Sequence, residues 1–312
     1  MIQPLSLGAA LKERYRLEQV IGCGGTGWVY RCRDEASGRQ AAIKEAALSS
    51  CCRVCRSVCP SGDANGAQWF DSLKKRMKAA AALFREHLDY PELLRIFDCF
   101  EENNTVYIVM ELIEGETLRA YIRRGVSLLE EDVRVFGVLL LRAVKRLHGE
   151  GLLHLDISPE NIMIAESVKL IDFGAAGRAK EKRRDSIWVR EGYSPPEQYS
   201  RQAVLDFQTD LYAVGAVLYE TLTGVRPPPG QGRADGRTLA EPKELRRDIS
   251  DDLNRVLLKA MAICPEDRYQ SAEEMERALL TGNDTGEQIK RVLLTEGAAS
   301  LVLALAAVLT GL

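Results

Sequence analysis

Residues 154–174 read HLDISPENIMIAESVKLIDFG, and this stretch carries the strongest chemical signal in the chain. Asp156 and Asn161 stand five residues apart, just before a short apolar run, and Asp172 follows a second apolar run. Carboxylate and amide oxygens suit a hard cation such as Mg²⁺, and a carboxylate can accept a proton from an attacking hydroxyl. Taken singly, an Asp or Asn near a proline or glycine is equally typical of an ordinary turn.

Toward the N-terminus, residues 22–29 read GCGGTGWV, and the glycines at 22–27 join two predicted strands, 16–21 and 28–33. Glycines let a backbone approach phosphate groups closely. A tight hairpin turn explains the same residues equally well. A dinucleotide-binding βαβ unit fits poorly, because a strand rather than a helix follows the glycines.

One lysine, Lys44, follows the apolar residues 41–43 in a third predicted strand, 40–45. If this strand faces a cleft, the ammonium group can reach phosphate oxygens. For a lone lysine, the alternative of a strand-end side chain in solvent is the more common one.

The predicted strands come first and most of the predicted helices come later. A helix over 70–88 follows the third strand, and two further strands are predicted over 94–101 and 105–111. The later helices are predicted from a capping box at 127–130 to Leu147 and over 210–222, 250–263 and 271–280. This order predicts an α+β, bilobal fold, in which a small β-rich N-lobe with one main helix and a larger α-helical C-lobe enclose a cleft.

The composition is that of a soluble globular protein, with 46% hydrophobic and 28% charged residues among 312. The net charge of −3 predicts no nucleic-acid partner. No basic residue precedes the apolar residues 5–11, so we expect no secretory signal. The eight cysteines are therefore interpreted as free thiols in the reducing cytoplasm.

Three terminal segments are set apart from the rest: an N-terminal extension (1–14), a polar linker (281–291) and a hydrophobic segment (292–312). The last sixteen residues carry no charge, and as a helix they would span about 24 Å, against roughly 30 Å for a bilayer core. Two interpretations stay open, a buried terminal helix and a membrane anchor. In the second, the basic pair Lys290 and Arg291 would tether the protein to the cytoplasmic face of the membrane.

Together, and in this order, the glycine-rich stretch, the strand lysine, the Asp-to-Asn loop and the Asp-Phe-Gly triplet resemble the protein-kinase family. The resemblance covers roughly residues 15–280, with an N-lobe of about 15–112 and a C-lobe of about 113–280. The glycine-rich stretch and the Ser-Pro-Glu-Asn form of the loop look most like bacterial, eukaryotic-like (Hanks-type) serine/threonine kinases.

Further matches lie toward the C-terminus. Pro195-Pro196-Glu197 looks like the motif that closes the activation segment, and Asp210 lies in the predicted apolar helix. Arg268 is the expected ion-pair partner of Glu197.

The resemblance implies a kinase that uses ATP with Mg²⁺, or with Mn²⁺, to phosphorylate proteins, autophosphorylation included. It implies Asp156 as the catalytic base, Lys44 as the ligand of the α- and β-phosphates, and Asn161 and Asp172 as the metal ligands. The implied nucleotide-binding residues are Ile21, Gly22, Gly24, Gly25, Gly27, Val29, Ala42, Lys44, Met110, Glu111 and Ile113. Met110 looks like the gatekeeper residue, and the backbone of Glu111 and Ile113 would bind adenine.

Two positions of the central stretch depart from the family. Leu155 stands where kinases have an arginine that pairs with a phosphorylated activation loop, so we expect activity without such phosphorylation. Ser186 is the one hydroxyl residue between Gly174 and Tyr193, and therefore the one candidate switch site there. Ser158 stands where serine/threonine kinases have a lysine near the γ-phosphate, so this charge is missing or comes from elsewhere.

A third departure concerns the helix before Pro91, which in the family supplies a glutamate to Lys44. Counting back from the proline puts that position at Ala80 or Ala81. A weak kinase, a substitute carboxylate such as Glu45, and an unusual helix position all stay open.

Four cysteines, Cys51, Cys52, Cys55 and Cys59, lie within nine residues. They could form a zinc site with four thiolates, or a redox sensor. An irregular insertion is the favoured interpretation, because the spacing is cramped and no second Cys pair follows.

Three functions compete. An active protein kinase is favoured, and a pseudokinase that binds nucleotide as a scaffold is the alternative that the missing helix glutamate and Ser158 support. A small-molecule phosphotransferase of related fold is the third, but such enzymes usually lack the closing motif at 195–197.

Overall fold

The computed structural model describes residues 4–24, 27–47, 64–87, 90–125, 128–165, 167–181 and 188–281. These residues fall into two compact units. The first unit contains the chain up to Ile113 together with Phe173–Ala175, and the second runs from Glu114 to Asp172 and continues from Ala176.

The first unit is built on a six-stranded antiparallel sheet with the order β1-β2-β3-β4-β6-β5. The strands are β1 (Ala10–Leu11), β2 (Tyr15–Gly24), β3 (Gly27–Asp34), β4 (Gln40–Ala46), β5 (Ile96–Glu102) and β6 (Thr105–Met110). Asn103 and Asn104 join the last two strands with φ values of 49° and 59°, the left-handed backbone that Asn tolerates in a two-residue hairpin.

One long helix, α1 (Ala64–His87), completes the first unit. Its buried side chains recur at helical spacing, as the sequence predicts: Leu73, Met77, Ala80, Ala81 and Phe84. Phe84 stacks on Phe173, with ring centroids 3.7 Å apart, so the helix holds the first residue after Asp172.

The second unit is mainly helical and carries three short strand pairings. Its helices are α2 (Leu118–Arg123), α3 (Glu130–Gly149), α4 (Phe207–Thr223), α5 (Gly230–Ala234), α6 (Pro242–Leu245), α7 (Asp251–Ala260) and α8 (Ala272–Leu280). Its strands are β7 (Glu116–Thr117), β8 (Leu152–Leu153), β9 (Ile162–Ile164), β10 (Val168–Leu170) and β11 (Gly177–Arg178). Strand β9 lies between β10 and β7, and β11 pairs with β8. The predicted α+β class, with strands early and helices late, is confirmed.

Helix α4 forms the centre of the second unit and is buried almost all round, including the carboxyl group of Asp210. Gly215 lets it approach α7 closely, because an added Cβ would lie 2.7 Å from the Cβ of Ala260. Gly224 ends the helix with φ of 72°, a left-handed cap that glycine adopts without strain.

Within the described ranges, every helix is too short or too polar to cross a membrane. The segment 292–312, the cysteines Cys51, Cys52, Cys55 and Cys59, and Ser186 lie outside the described residues.

Candidate active site

The register of the sheet collects several predicted nucleotide-binding residues on one face. Lys44 lies opposite Val29 on β3 and Ile108 on β6, and Ala42 lies opposite Met110. Directly opposed residues of antiparallel strands share a face, and residues two apart share it as well. Val29, Ala42, Lys44 and Met110 therefore point to the same side of the sheet.

The other face of the same strands is a packed core. Leu17, Tyr30, Ile43 and Tyr107 are among its buried members. Glu45 points into this side, where its carboxylate accepts hydrogen bonds from the hydroxyls of Tyr30 at 2.7 Å and Tyr107 at 3.3 Å. The suggestion that Glu45 substitutes for the missing helix glutamate is wrong, because successive strand residues point to opposite faces and Lys44 points to the other one.

The glycine-rich stretch is a hairpin between β2 and β3, with Gly22 opposite Val29 and Gly24 opposite Gly27. Gly27 has φ of 139°, and a Cβ there would lie 1.7 Å from the carbonyl oxygen of Glu45. Only glycine fits this position, because the backbone of the neighbouring strand β4 leaves no room for a Cβ. Ile21 is partly exposed, and Gly25 lies outside the described residues.

The expected adenine-binding segment follows β6 directly. The amide of Glu111 donates to the carbonyl oxygen of Arg95 at 2.9 Å, so its own carbonyl is the group that could accept from adenine. Ile113 is half-buried at the end of the first unit.

The side chain of Asp210 holds the loop that carries Asp156. The Asp210 carboxylate, fully buried in α4, accepts from the amides of His154 at 2.8 Å and Leu155 at 2.9 Å. Burial by itself would raise the pKa of Asp210, but the hydrogen bonds from His148 and from the Leu155 amide help to lower it. Leu155 has φ of 64°, a strained conformation for a non-glycine residue, and the hydrogen bonds from its own amide and from that of His154 to Asp210 hold it in place.

His154 joins this loop to the strand before Asp172. Its Nδ1 accepts from the amide of Asp156 at 3.2 Å, and its Nε2 donates to the carbonyl oxygen of Ile171 at 3.1 Å. Complete burial lowers the pKa of the imidazole. The neutral ring therefore sets the spacing between the catalytic loop and the Asp172 segment.

Asn161 of the same loop and Arg190 of a later segment both contact Asp156. The Asn161 side-chain nitrogen donates to both the carbonyl oxygen and Oδ2 of Asp156, each at 2.8 Å. Arg190 donates to Oδ1 of Asp156 through Nε at 2.9 Å and to Oδ2 through Nη2 at 2.8 Å. The Asp156 side chain is 4% exposed, so its orientation is fixed on two sides.

The two expected metal ligands lie at the same end of the β9–β10 hairpin. Asn161 directly precedes β9 and Asp172 follows β10 by two residues, and the amide of Ile171 donates to the carbonyl oxygen of Asn161 at 2.9 Å. The amide nitrogen of the Asn161 side chain is engaged with Asp156, which leaves Oδ1 as the atom suited to a cation. This donor set, one carboxylate and one amide oxygen, fits Mg²⁺ or Mn²⁺.

Helix α1 presents an arginine, not a carboxylate, to the Asp-Phe-Gly triplet. Arg76 donates through Nη2 to the carbonyl oxygen of Gly174 at 2.7 Å. Ala80 and Ala81 are 5% and 0% exposed and contribute only apolar packing. Among the described side chains of α1, the one acid is Asp71, which is exposed and pairs with Lys74 at 3.0 Å.

The motif that closes the activation segment is anchored as expected. Glu197 accepts two hydrogen bonds from Arg268, at 2.7 and 3.0 Å. Arg268 is 1% exposed and also donates to the carbonyl oxygens of Ala262 and Ile263.

A cavity of about 540 Å³ lies elsewhere in the first unit, and its lining includes Lys12, Arg14 and Asp98 but none of the predicted site residues. Two of its cations are paired, Lys12 with Asp98 at 2.7 Å and Arg14 with Asp34 at 2.6 Å.

Sequence reasoning missed Arg190 and Arg76. Ser158 is the signal that could have pointed to Arg190. Because the family's lysine is absent at this position, a positive charge beside Asp156 has to come from another residue. Arg76 has no signal of its own in the sequence, because its partner Gly174 lies 98 residues further along the chain.

A family model described as the protein kinase domain matches residues 69–279, more than half of the chain. The solved structure titled PpkA-294 apo form is 31% identical, with a TM-score of 0.73, and covers 88% of this chain and 99% of that one.

Curated relatives from bacteria are similar over most of the chain. A probable serine/threonine-protein kinase of Streptomyces coelicolor is 32% identical over 308 residues, covering 92% of this chain and 42% of that protein. The serine/threonine-protein kinase PknB of Mycobacterium tuberculosis is 31% identical over 322 residues, covering 96% of this chain and 48% of that protein. The chain thus spans less than half the length of these relatives.

Proposed function

This chain belongs to the protein kinase domain family, and from that premise we propose that it is an ATP-dependent serine/threonine protein kinase. It would transfer the γ-phosphoryl group of ATP, bound with Mg²⁺ or Mn²⁺, to a protein hydroxyl. The names of its relatives support the serine/threonine preference.

The observation that carries the proposal is the arrangement at Asp156. A general base must be oriented and still able to accept a proton. The Asp156 carboxylate is oriented by Asn161 and by Arg190, and Asn161 in turn lies at the hairpin end that also carries Asp172. The proposed base is therefore hydrogen-bonded to a residue that lies at the same hairpin end as the second proposed metal ligand.

The remaining roles follow from chemistry. When bound, the divalent cation would neutralise phosphate charge. Asn161 Oδ1 and the Asp172 carboxylate would hold it. Lys44, on the same sheet face as Val29, Ala42 and Met110, would bind the α- and β-phosphates.

A protein substrate is favoured over a small molecule. The closing motif at 195–197 is fixed to a buried arginine through Glu197, with bonds of 2.7 and 3.0 Å. An anchored segment of this kind gives a peptide a rigid surface on which to dock. Autophosphorylation is included in this proposal.

A pseudokinase is the alternative, and Arg76 is the observation that favours it. An arginine reaches Gly174 from α1, where the family pattern leads one to expect a carboxylate for Lys44. The intact set of Asp156, Asn161 and Asp172 favours an enzyme that transfers phosphate.

The location of the kinase is a finer proposal. The segment 292–312 would anchor it to the inner face of the cell membrane, since residues 297–312 carry no charge and Lys290 and Arg291 precede them. Membrane fractionation of the full chain and of a version ending at 291 tests this, and equal recovery in the soluble fraction would contradict it.

The activity is tested with γ-labelled ATP and Mg²⁺, using the protein itself and a basic substrate protein as acceptors. Asp156→Asn should lower transfer by about 10²- to 10⁴-fold while nucleotide binding, followed by calorimetry, stays within a few-fold of wild type. No transfer by the wild-type protein, with ATP still bound, would favour the pseudokinase.

A further inference from the structure

Arg190 grips the catalytic carboxylate with a fork of two donors. Nε lies 2.9 Å from Oδ1 of Asp156, and Nη2 lies 2.8 Å from Oδ2. The Asp156 side chain is 4% exposed and that of Arg190 is 23% exposed. A two-point contact between a guanidinium and a carboxylate fixes direction as well as distance, which a lysine ammonium cannot do.

The catalytic loop itself supplies no positive charge at this place. Ser158, two residues after Asp156, is fully buried, and its Oγ has no hydrogen-bond partner among the described residues. Within the described parts of the chain, Arg190 is the cation in ion-pair contact with Asp156. The positive charge beside Asp156 therefore comes from a different segment, 34 residues after the aspartate.

The backbone of Arg190 is itself built into the fold. Its amide donates to Oγ of Ser194 at 2.8 Å, and its carbonyl oxygen accepts from the amides of Tyr193 at 3.0 Å and Ser194 at 2.9 Å. Gly192 closes this turn with φ of 88°. The guanidinium is thus presented from a tight turn rather than from a long free loop.

A second link ties this turn to the catalytic loop. The side-chain nitrogen of Gln198 donates to the carbonyl oxygens of both Leu155 and Trp188, each at 2.7 Å. The residue before Asp156 and the residue two before Arg190 are therefore held by one amide group. The pairing of Arg190 with Asp156 rests on connections at both ends.

We propose that Arg190 is the positioning residue of the catalytic base, and that it replaces the family's lysine, which is absent at position 158. This inference rests on the proposed kinase function. Arg190 fixes the Asp156 carboxylate and keeps positive charge beside the point where the γ-phosphoryl group is transferred.

The hydrogen bonds also assign the oxygen that meets the substrate. Oδ2 of Asp156 accepts from Asn161 and from Arg190, whereas Oδ1 accepts from Arg190. A carboxylate oxygen has two lone pairs, so Oδ1 keeps one for the substrate hydroxyl. In the transfer, the hydroxyl oxygen bonds to the γ-phosphorus while the bond to the β–γ bridging oxygen breaks; that electron pair leaves with ADP, and the hydroxyl proton passes to Oδ1.

The test compares three variants under steady-state conditions. Arg190→Met removes the charge and keeps the bulk, Arg190→Lys keeps the charge and removes the fork, and Ser158→Lys combined with Arg190→Met moves the charge back to the catalytic loop. Arg201→Met, an exposed arginine in the same segment, is the matched control. Thermal unfolding and nucleotide binding are measured for each.

We expect Arg190→Met to lower kcat by about 10- to 100-fold with KM for ATP changed by less than about threefold. Arg190→Lys should retain more kcat than Arg190→Met, and Ser158→Lys should restore part of the kcat lost in Arg190→Met. Arg201→Met should behave as wild type. If Arg190 were purely structural, Arg190→Met would lower stability, and a lysine at position 158 would not restore kcat.

Several results would overturn the inference. An unchanged kcat in Arg190→Met would show that the fork is dispensable, and a raised kcat would make Arg190 an inhibitory contact on Asp156. If the double variant does not fold, equal kcat values for Arg190→Lys and Arg190→Met would decide against a charge requirement. If the wild-type protein transfers no phosphate, the kinase function is overturned and this inference with it. If the wild-type protein is active and only the Arg190 variants fail to behave as expected, the inference alone is overturned.

Discussion

Arg76 of helix α1 donates a hydrogen bond through Nη2 to the carbonyl oxygen of Gly174, at 2.7 Å. The contact holds the backbone two residues beyond Asp172 from a helix position three turns before the helix ends. Together with the stacking of Phe84 on Phe173 at 3.7 Å, it fixes the segment that follows the expected metal ligand.

Arg76→Gln should therefore weaken metal use more than it weakens the fold. Loss of a group that orients a metal ligand typically costs about tenfold or more in affinity or activity, so we expect the Mg²⁺ concentration for half-maximal rate to rise about tenfold. Metal titrations of the rate check this, with Lys75→Gln, an exposed position on the same helix, as control. An unchanged Mg²⁺ dependence would show that Phe84 alone holds the segment.

Ala81→Glu should destabilise the protein rather than repair it. Ala81 is 0% exposed among Leu73, Met77 and Phe84, and an unpaired charge in such a site costs about 3–5 kcal/mol. Chemical denaturation gives the free energy of unfolding, and Ala79→Glu, exposed on the same helix, is the matched control. A folded Ala81→Glu variant with a raised kcat would mean that the position does face Lys44.

Lys44 and Glu45 should separate into a functional and a structural residue. Lys44→Met keeps the aliphatic stem and should lower kcat about 100-fold with little change in unfolding. Glu45→Gln weakens the bonds to Tyr30 and Tyr107 and should cost about 1 kcal/mol of stability with kcat unchanged. Equal rate losses in the two variants would contradict the assignment of the two faces.

Glu197→Ala should be strongly destabilising, because it leaves the guanidinium of Arg268 buried without its carboxylate. We expect a loss of about 3–5 kcal/mol in the free energy of unfolding. The exposed pair of Lys145 and Glu273, at 3.1 Å, offers the comparison, since Lys145→Ala should cost less than about 1 kcal/mol. Similar losses in both variants would argue against a special anchoring role.

Stability should fall as the pH falls below about 6.5, because of His154. Burial lowers the pKa of this imidazole in the folded protein, while an unfolded histidine binds a proton near pH 6.5. Below that value the unfolded state holds more protons, so acid favours unfolding, by up to about 1.4 kcal/mol per pH unit. Urea unfolding from pH 7.5 to 5.5 should show this slope in wild type and a flatter one in His154→Gln. Identical slopes would assign the effect to other groups.

Local signals in the sequence predicted much of the fold. The capping box at Ser271 and Glu274 predicts the start of α8, and Ser271 Oγ indeed accepts from the amide of Glu274 at 3.1 Å. Asn103 and Asn104 likewise turn the chain between the strands predicted over 94–101 and 105–111. Both features involve residues three or fewer positions apart, so the interactions that form them can be predicted from the local sequence.

Long-range contacts in the candidate site could not be predicted in the same way. The pair of Asp156 and Arg190 spans 34 residues, and that of Arg76 and Gly174 spans 98. Their formation depends on the path of the chain between them, which hydrophobic periodicity does not encode. The sequence singled out Asp156 and Asn161, which lie in hydrogen-bond contact, but not the arginine that holds the carboxylate.

The neighbours Lys44 and Glu45 on strand β4 point to opposite faces of one sheet, one face for the expected nucleotide and one for the buried tyrosines. An insertion or deletion of one residue that shifts β4 would exchange the two side chains, placing an ammonium group in the tyrosine core and a carboxylate against the phosphates. Substitutions in β4 leave the alternation of its two faces intact, whereas a one-residue insertion or deletion reverses it.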